Sequence, residues 1–96
     1  MTYSLRRTHD GVGDSGTMST AYWLNEEDER GYSHEDNAEP RVGVSMRVGS
    51  TVGRSFSQQD WWQTTTIIEI LERRETPEGK YVRFKTGNSE YEWGAF

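Results

Sequence analysis

Polar and apolar positions alternate most clearly in the last third of the chain. From Lys80 to Thr86, Val82, Phe84 and Thr86 share one parity and Tyr81, Arg83 and Lys85 the other, the period of a half-buried strand. Gly87-Asn88 separates this run from Ser89–Trp93, and a two-residue Gly-Asn loop between alternating runs predicts a β-hairpin. Its register pairs Thr86 with Ser89, Lys85 with Glu90, Phe84 with Tyr91, Arg83 with Glu92 and Val82 with Trp93. That sets ion pairs on one face and aromatic or aliphatic pairs on the other; a one-residue slip removes them all. Upstream, Thr76-Pro77-Glu78-Gly79 is a turn joining Lys80–Thr86 to a β-branched run from Thr64 to Arg73, TTTIIEILER. The run is apolar on both parities at Ile67, Ile68, Ile70 and Leu71. A helix there also satisfies the spacing, but the threonines and flanking turns favour a strand that is covered on both sides or bent.

The alternation is looser elsewhere. Residues 41–56 place Val42, Val44, Met46 and Val48 on one parity, with Gly43, Gly49 and Gly53 marking bends or bulges. Residues 2–8 and 17–24 read as further strands, and 25–40 has no periodicity and reads as a long acidic loop. The expected fold is all-β: a small antiparallel sheet or SH3-like barrel with a C-terminal three-stranded meander. One domain spans 1–96, with the loop at 25–40 and the β core in 41–96.

Composition narrows the classes of function. The 96 residues are 31% hydrophobic, and four Trp, five Tyr and three Phe compensate with about 150–250 Å² of buried surface each. Without cysteine there is no disulfide, iron–sulfur cluster or thiolate zinc site. No apolar run is long enough to span a bilayer or to serve as a signal peptide. The expected setting is therefore cytoplasmic, without membrane or cofactor. Of the net charge of −5, residues 26–39 carry −6, as a solvated loop or as a polyanionic surface that attracts basic partners.

Several motifs resemble chemistry without its context. Gly11–Gly16 spells G-x-G-x-x-G, but the dinucleotide fingerprint needs a following helix and a parallel sheet; a flexible glycine turn is the expectation. Gly13-Asp14-Ser15-Gly16 resembles the nucleophile segment of trypsin-like proteases, although Thr17 stands where that family has glycine and the chain is too short for two barrels. His9 and His34 are the only histidines, and their spacing predicts no metal site. No carboxylate stands in a setting that marks a catalytic acid, so no enzyme is expected.

Trp61-Trp62 is the most informative local feature, because adjacent strand residues point to opposite faces. Either one ring enters the core and the other anchors a partner or packs beneath the acidic loop, or both cap the open end of a barrel. Arg41, Arg47 and Arg54, interleaved with Phe56, Trp61 and Trp62, give the pattern of a single-stranded nucleic-acid platform. The overall negative charge opposes it, and nine arginines to two lysines favour protein contacts.

Asp60, Trp61, Trp62 and Thr64, followed by Thr86, Asn88, Ser89, Tyr91 and Trp93, resemble small phage and prophage proteins. In those, a D-W-W-x-T segment leads into a strand and the chain ends in T-x-N-S-x-Y-x-W. The similarity covers about residues 49–93 and implies a small β module on a mobile element, with no catalytic residues to transfer. The expectation is a non-enzymatic protein-binding module, in its concrete form a counter-defence inhibitor of the anti-CRISPR kind. It would present Glu26, Glu27, Asp28, Glu29, Glu35 and Asp36, with Trp61 and Trp62, to a nucleic-acid channel of a host protein or protein–nucleic-acid complex in the host cytoplasm. The alternatives are a nucleic-acid-binding small barrel and a structural or accessory phage component.

Overall fold

The computed structural model describes residues 1–50 and 61–96. Nine strands run β1 (Tyr3–Arg7), β2 (Gly13–Gly16), β3 (Met18–Leu24), β4 (Tyr32–Asp36), β5 (Ser45–Gly49), β6 (Trp61–Gln63), β7 (Ile67–Thr76), β8 (Gly79–Thr86) and β9 (Glu90–Ala95). They form two antiparallel sheets, sheet A in the order β2-β1-β9-β8-β7 and sheet B in the order β4-β3-β5-β6. The all-β expectation holds in its sheet form; the described residues make no closed barrel. A corner joins the sheets: the Ile67 amide donates to the Val44 carbonyl at 2.8 Å and the Thr64 amide to that of Met46 at 2.8 Å.

The meander is observed with the expected register, Val82↔Trp93, Arg83↔Glu92, Phe84↔Tyr91 and Lys85↔Glu90, closed by the Thr86 amide on the Ser89 carbonyl at 2.8 Å. Arg83 reaches Glu90 diagonally at 3.4 Å instead of its opposite number Glu92, and also contacts Glu72, directly across on β7, at 3.6 Å. β7 begins at Ile67, not Thr64, and two register shifts, between Ile67 and Glu69 and between Ile70 and Glu72, account for its two-sided apolar pattern. Each bulge inserts one residue and resets the parity, so Ile67 and Ile70, three positions apart, both face the core while Ile68 is exposed.

Three expectations are corrected. The segment 25–40 is not one loop: β4 lies inside it, paired with β3 from Thr20↔Asp36 to Leu24↔Tyr32. Because β4 is exposed on both parities apart from Ser33, no hydrophobic period announced it. The glycine-rich stretch is not a free turn either, since Gly13–Gly16 is β2, paired with β1 from Tyr3↔Gly16 to Arg6↔Gly13. Nor is the core confined to 41–96. Tyr3, Leu5, Ala21 and Ala38 are buried with Val44, Met46, Val48, Ile67, Val82, Phe84, Tyr91 and Trp93, whereas Val42 stays exposed. Phe84 stacks on Tyr91 with centroids 5.6 Å apart. The Trp93 indole N–H donates to Ser19 Oγ at 2.9 Å, and that hydroxyl donates to the Ala38 carbonyl at 2.9 Å, tying the two sheets through the core. The expected bend at Gly53, and Arg54, Phe56 and Asp60, lie outside the described residues.

Candidate functional site

Strand alternation sorts the aromatic residues of sheet B. Ala21, Met46 and Val48 point into the core, and Trp23 and Trp62 pack against it. The opposite parity, read across the sheet, holds Tyr32, His34, Tyr22, Arg47, Gln63 and Trp61. The two adjacent tryptophans are thus divided: Trp62 stands opposite Val48 and Trp61 opposite Gly49. The Trp62 indole nitrogen is buried without a hydrogen-bond partner among the described residues, and Arg7 lies over the ring at 5.4 Å.

On the outer face, the Arg47 guanidinium lies 4.0 Å from the Trp61 ring centroid and 4.7 Å from that of Tyr22. Its Nη2 and Nε donate to Gln63 Oε1 at 2.8 and 3.2 Å. Two faces and a fork hold the planar cation, a task that suits arginine and not lysine. Tyr22 continues the band to Tyr32, 6.0 Å between centroids, and to His34 at 5.9 Å. Arg30 covers Tyr32 at 5.5 Å. Beside this band a groove of about 830 Å³ runs between Tyr22, Tyr32, Leu24, Gly43 and Thr66, with Leu24 90% exposed.

The acidic residues divide into two groups. Asp28 is a structural carboxylate in the β3–β4 turn. It accepts from the Arg30 amide at 2.9 Å and from Ser33 Oγ at 3.3 Å, and the Arg30 amide and guanidinium hold its carboxyl below the usual range. Glu35 pairs with Arg41 at 3.3 Å, Asp36 accepts from Thr20 Oγ1 at 3.2 Å, and Glu39 binds Lys80 at 2.6 Å and Arg73 at 3.2 Å. Glu26, Glu27 and Glu29 are exposed at the tip of the turn, and no ion pair among the described residues involves them. Within residues 26–39, the carboxylates with neither an ion pair nor a side-chain hydrogen bond among the described residues are therefore these three, on the turn beside the aromatic band.

No protein-family model matches the chain, and neither curated proteins nor solved structures give a significant match.

Of the cations expected on a nucleic-acid platform, Arg41 is taken by Glu35 and lies over Trp23 at 5.2 Å, and Arg47 is held between its rings. Arg54 lies outside the described residues. His9 sits 3.4 Å from Asp10, His34 beside Tyr22, and no group of three potential ligands among the described residues is placed to hold a metal. Among the described residues no helix is long and apolar enough to cross a membrane. A second hollow, of about 470 Å³, lies on the outer face of sheet A over Gly94, between Ser4, Arg6, Tyr81 and Phe96. Two of its cations are engaged, Arg74 by Glu72 at 2.6 Å and Lys80 by Glu39. The Trp61–Trp62 pair was legible as an inside–outside division. Tyr22, Arg47 and Gln63 were not, because three strands distant in sequence bring them together.

Proposed function

We propose that the chain is a protein-binding module that acts by contact, and that its docking face is the outer side of sheet B. The observation that carries this reading is the Arg47 guanidinium, fixed between Tyr22 and Trp61 and forked onto Gln63. Trp, Tyr and Arg dominate binding hot spots because they bring large contact area and bidentate polar groups at small entropic cost. Here they are already ordered, which lowers the cost of association. The unengaged Glu26, Glu27 and Glu29 beside the band favour a basic partner surface.

A nucleic acid is the poorer occupant. Phosphate binding draws its affinity from several cations free to displace counterions, and Arg41 and Arg47 are both engaged within the fold. An inhibitor that sets the acidic turn against the nucleic-acid channel of a bacterial host protein is the concrete form of this proposal, in keeping with the phage-type expectation from the sequence.

Affinity capture from host lysate, followed by titration of the purified captured protein, tests it. The expected partner has a basic surface and loses at least about 30-fold in affinity on Trp61→Ala or Arg47→Ala, a hot-spot loss of about 2 kcal/mol. Salt-sensitive quenching of tryptophan fluorescence by single-stranded DNA or RNA, with capture unaffected by either substitution, would overturn it in favour of nucleic-acid binding.

A further inference from the structure

A sheet edge carries unpaired backbone donors and acceptors, and folded proteins protect it with bulges, short length, proline, charge or a covering element. The two sheets have four edges. β7 is interrupted by two bulges between Ile67 and Glu72, and its unbroken remainder, Glu72–Thr76, carries Arg73 and Arg74. β2 has four residues, and a Cβ on its Gly16 would stand 2.2 Å from the Gly49 carbonyl oxygen, so it lies against the end of β5. β6 has three residues. β4 is different: it runs five residues without a register shift against β3, contains no proline, lysine or arginine and carries only acidic charges, on Glu35 and Asp36, and no described residue pairs with its free side.

We propose that β4 receives an extended, basic segment of the protein partner, which adds to sheet B as a fifth strand. This rests on the protein-binding reading of sheet B and names its mode, main-chain pairing for affinity and alternate side chains for specificity. Charge chooses the occupant. Asp36 lies on the strand beside Glu35, whose charge is already met by Arg41, and Glu26, Glu27 and Glu29 stand on the turn that leads into it. Two copies of this edge brought together place like charges side by side, which costs stability in a cross-strand pair, so the acidity opposes self-pairing. The same charges attract a strand bearing lysine or arginine. Side chains of one parity on that strand extend the Tyr22–Tyr32–His34 band, and those of the other parity lie beside Ser33 and Glu35.

The experiment uses the full chain, isotope-labelled, with three peptides: an extended peptide of alternating Lys and Thr, its Glu-for-Lys counterpart, and a copy N-methylated at every second residue. Hydrogen exchange reads the backbone directly. The Lys peptide is expected to slow exchange of amides within Tyr32–Asp36 by at least about tenfold while leaving β7 unchanged. The Glu peptide should give no protection, and N-methylation should abolish it. Equal effects of the methylated and unmethylated peptides, or shifts confined to the 26–29 turn, overturn strand addition, because charge attraction alone produces them. The two proposals fail separately. Partner affinity lost on Trp61→Ala without protection of β4 leaves the aromatic face and removes strand addition. Protection of β4 with partner affinity untouched by Trp61→Ala or Arg47→Ala removes the aromatic face.

Discussion

The Ser19 hydroxyl serves two buried partners, accepting from the Trp93 indole and donating to the Ala38 carbonyl. A Ser19→Ala substitution removes few atoms but strands a donor and an acceptor where water does not reach. The expected loss is about 1–3 kcal/mol, and Tm should fall by roughly 4–8 °C for each kcal/mol in a domain of this size. Thermal unfolding followed by circular dichroism measures it, and an unchanged Tm would mean that the bridge contributes nothing net. Asp10 acts on the surface. The Arg7 side chain at 2.6 Å and the Val12 amide at 3.0 Å lower its pKa to about 2. A carboxylate with a depressed folded-state pKa contributes stability above its unfolded value, near 3.9, and loses it as pH falls through the folded one. The contribution of Asp10 therefore disappears between about pH 4 and pH 2, and Asp10→Asn should flatten that part of the stability–pH curve. Denaturant titrations across this window, wild type against variant, give the comparison.

Among the elements, β2 shows why a glycine motif misleads. A Cβ at Gly13 would meet the Leu5 carbonyl oxygen at 1.8 Å, and one at Gly16 would meet that of Gly49 at 2.2 Å. Both obstacles are backbone, so no rotamer change relieves them. Gly16→Ala should destabilise the fold by about 1–3 kcal/mol, the range for overpacking, whereas Gly87→Ala meets nothing within 4 Å and should cost less. Urea midpoints of the two variants rank them directly. The same element explains what could be read in advance. The β8–β9 hairpin was legible in register because Val82, Phe84, Tyr91 and Trp93 alternate with charges around a two-residue loop. β2 and β4 were not, because strands that lack a buried apolar parity leave no period in the sequence. β2 is held by close backbone approach, and β4 by pairing with β3 and by polar and cation–π contacts at the surface. The candidate face was half legible. Adjacency alone sends Trp61 and Trp62 to opposite sides, but only the order β3-β5-β6 brings Tyr22, Arg47 and Trp61 together.

At the scale of the whole molecule, the net charge of −5 is unevenly engaged, most visibly in the acidic block of residues 26–39. Glu35, Glu39 and Glu72 are neutralised by arginine or lysine neighbours, and Asp28 is spent on its turn. Within residues 26–39, Glu26, Glu27 and Glu29 are left with neither an ion pair nor a side-chain hydrogen bond among the described residues, next to the Arg47 sandwich, so long-range attraction and short-range anchoring reside in different side chains. Rim charges govern encounter, and desolvated anchors govern escape. Replacing all three glutamates by glutamine should leave Tm within about 0.5 kcal/mol equivalent of wild type, as for surface changes that break no partner. It should lower the association rate with the proposed partner several-fold at low salt and little above about 0.5 M, where the Debye length has shrunk to a few ångströms. Trp61→Ala should do the reverse, raising the dissociation rate at every salt concentration. Stopped-flow association and surface-plasmon dissociation separate the two. If the triple substitution changes only dissociation, the acidic turn belongs to the buried contact instead of steering toward it, and the division of labour proposed between turn and sheet is wrong.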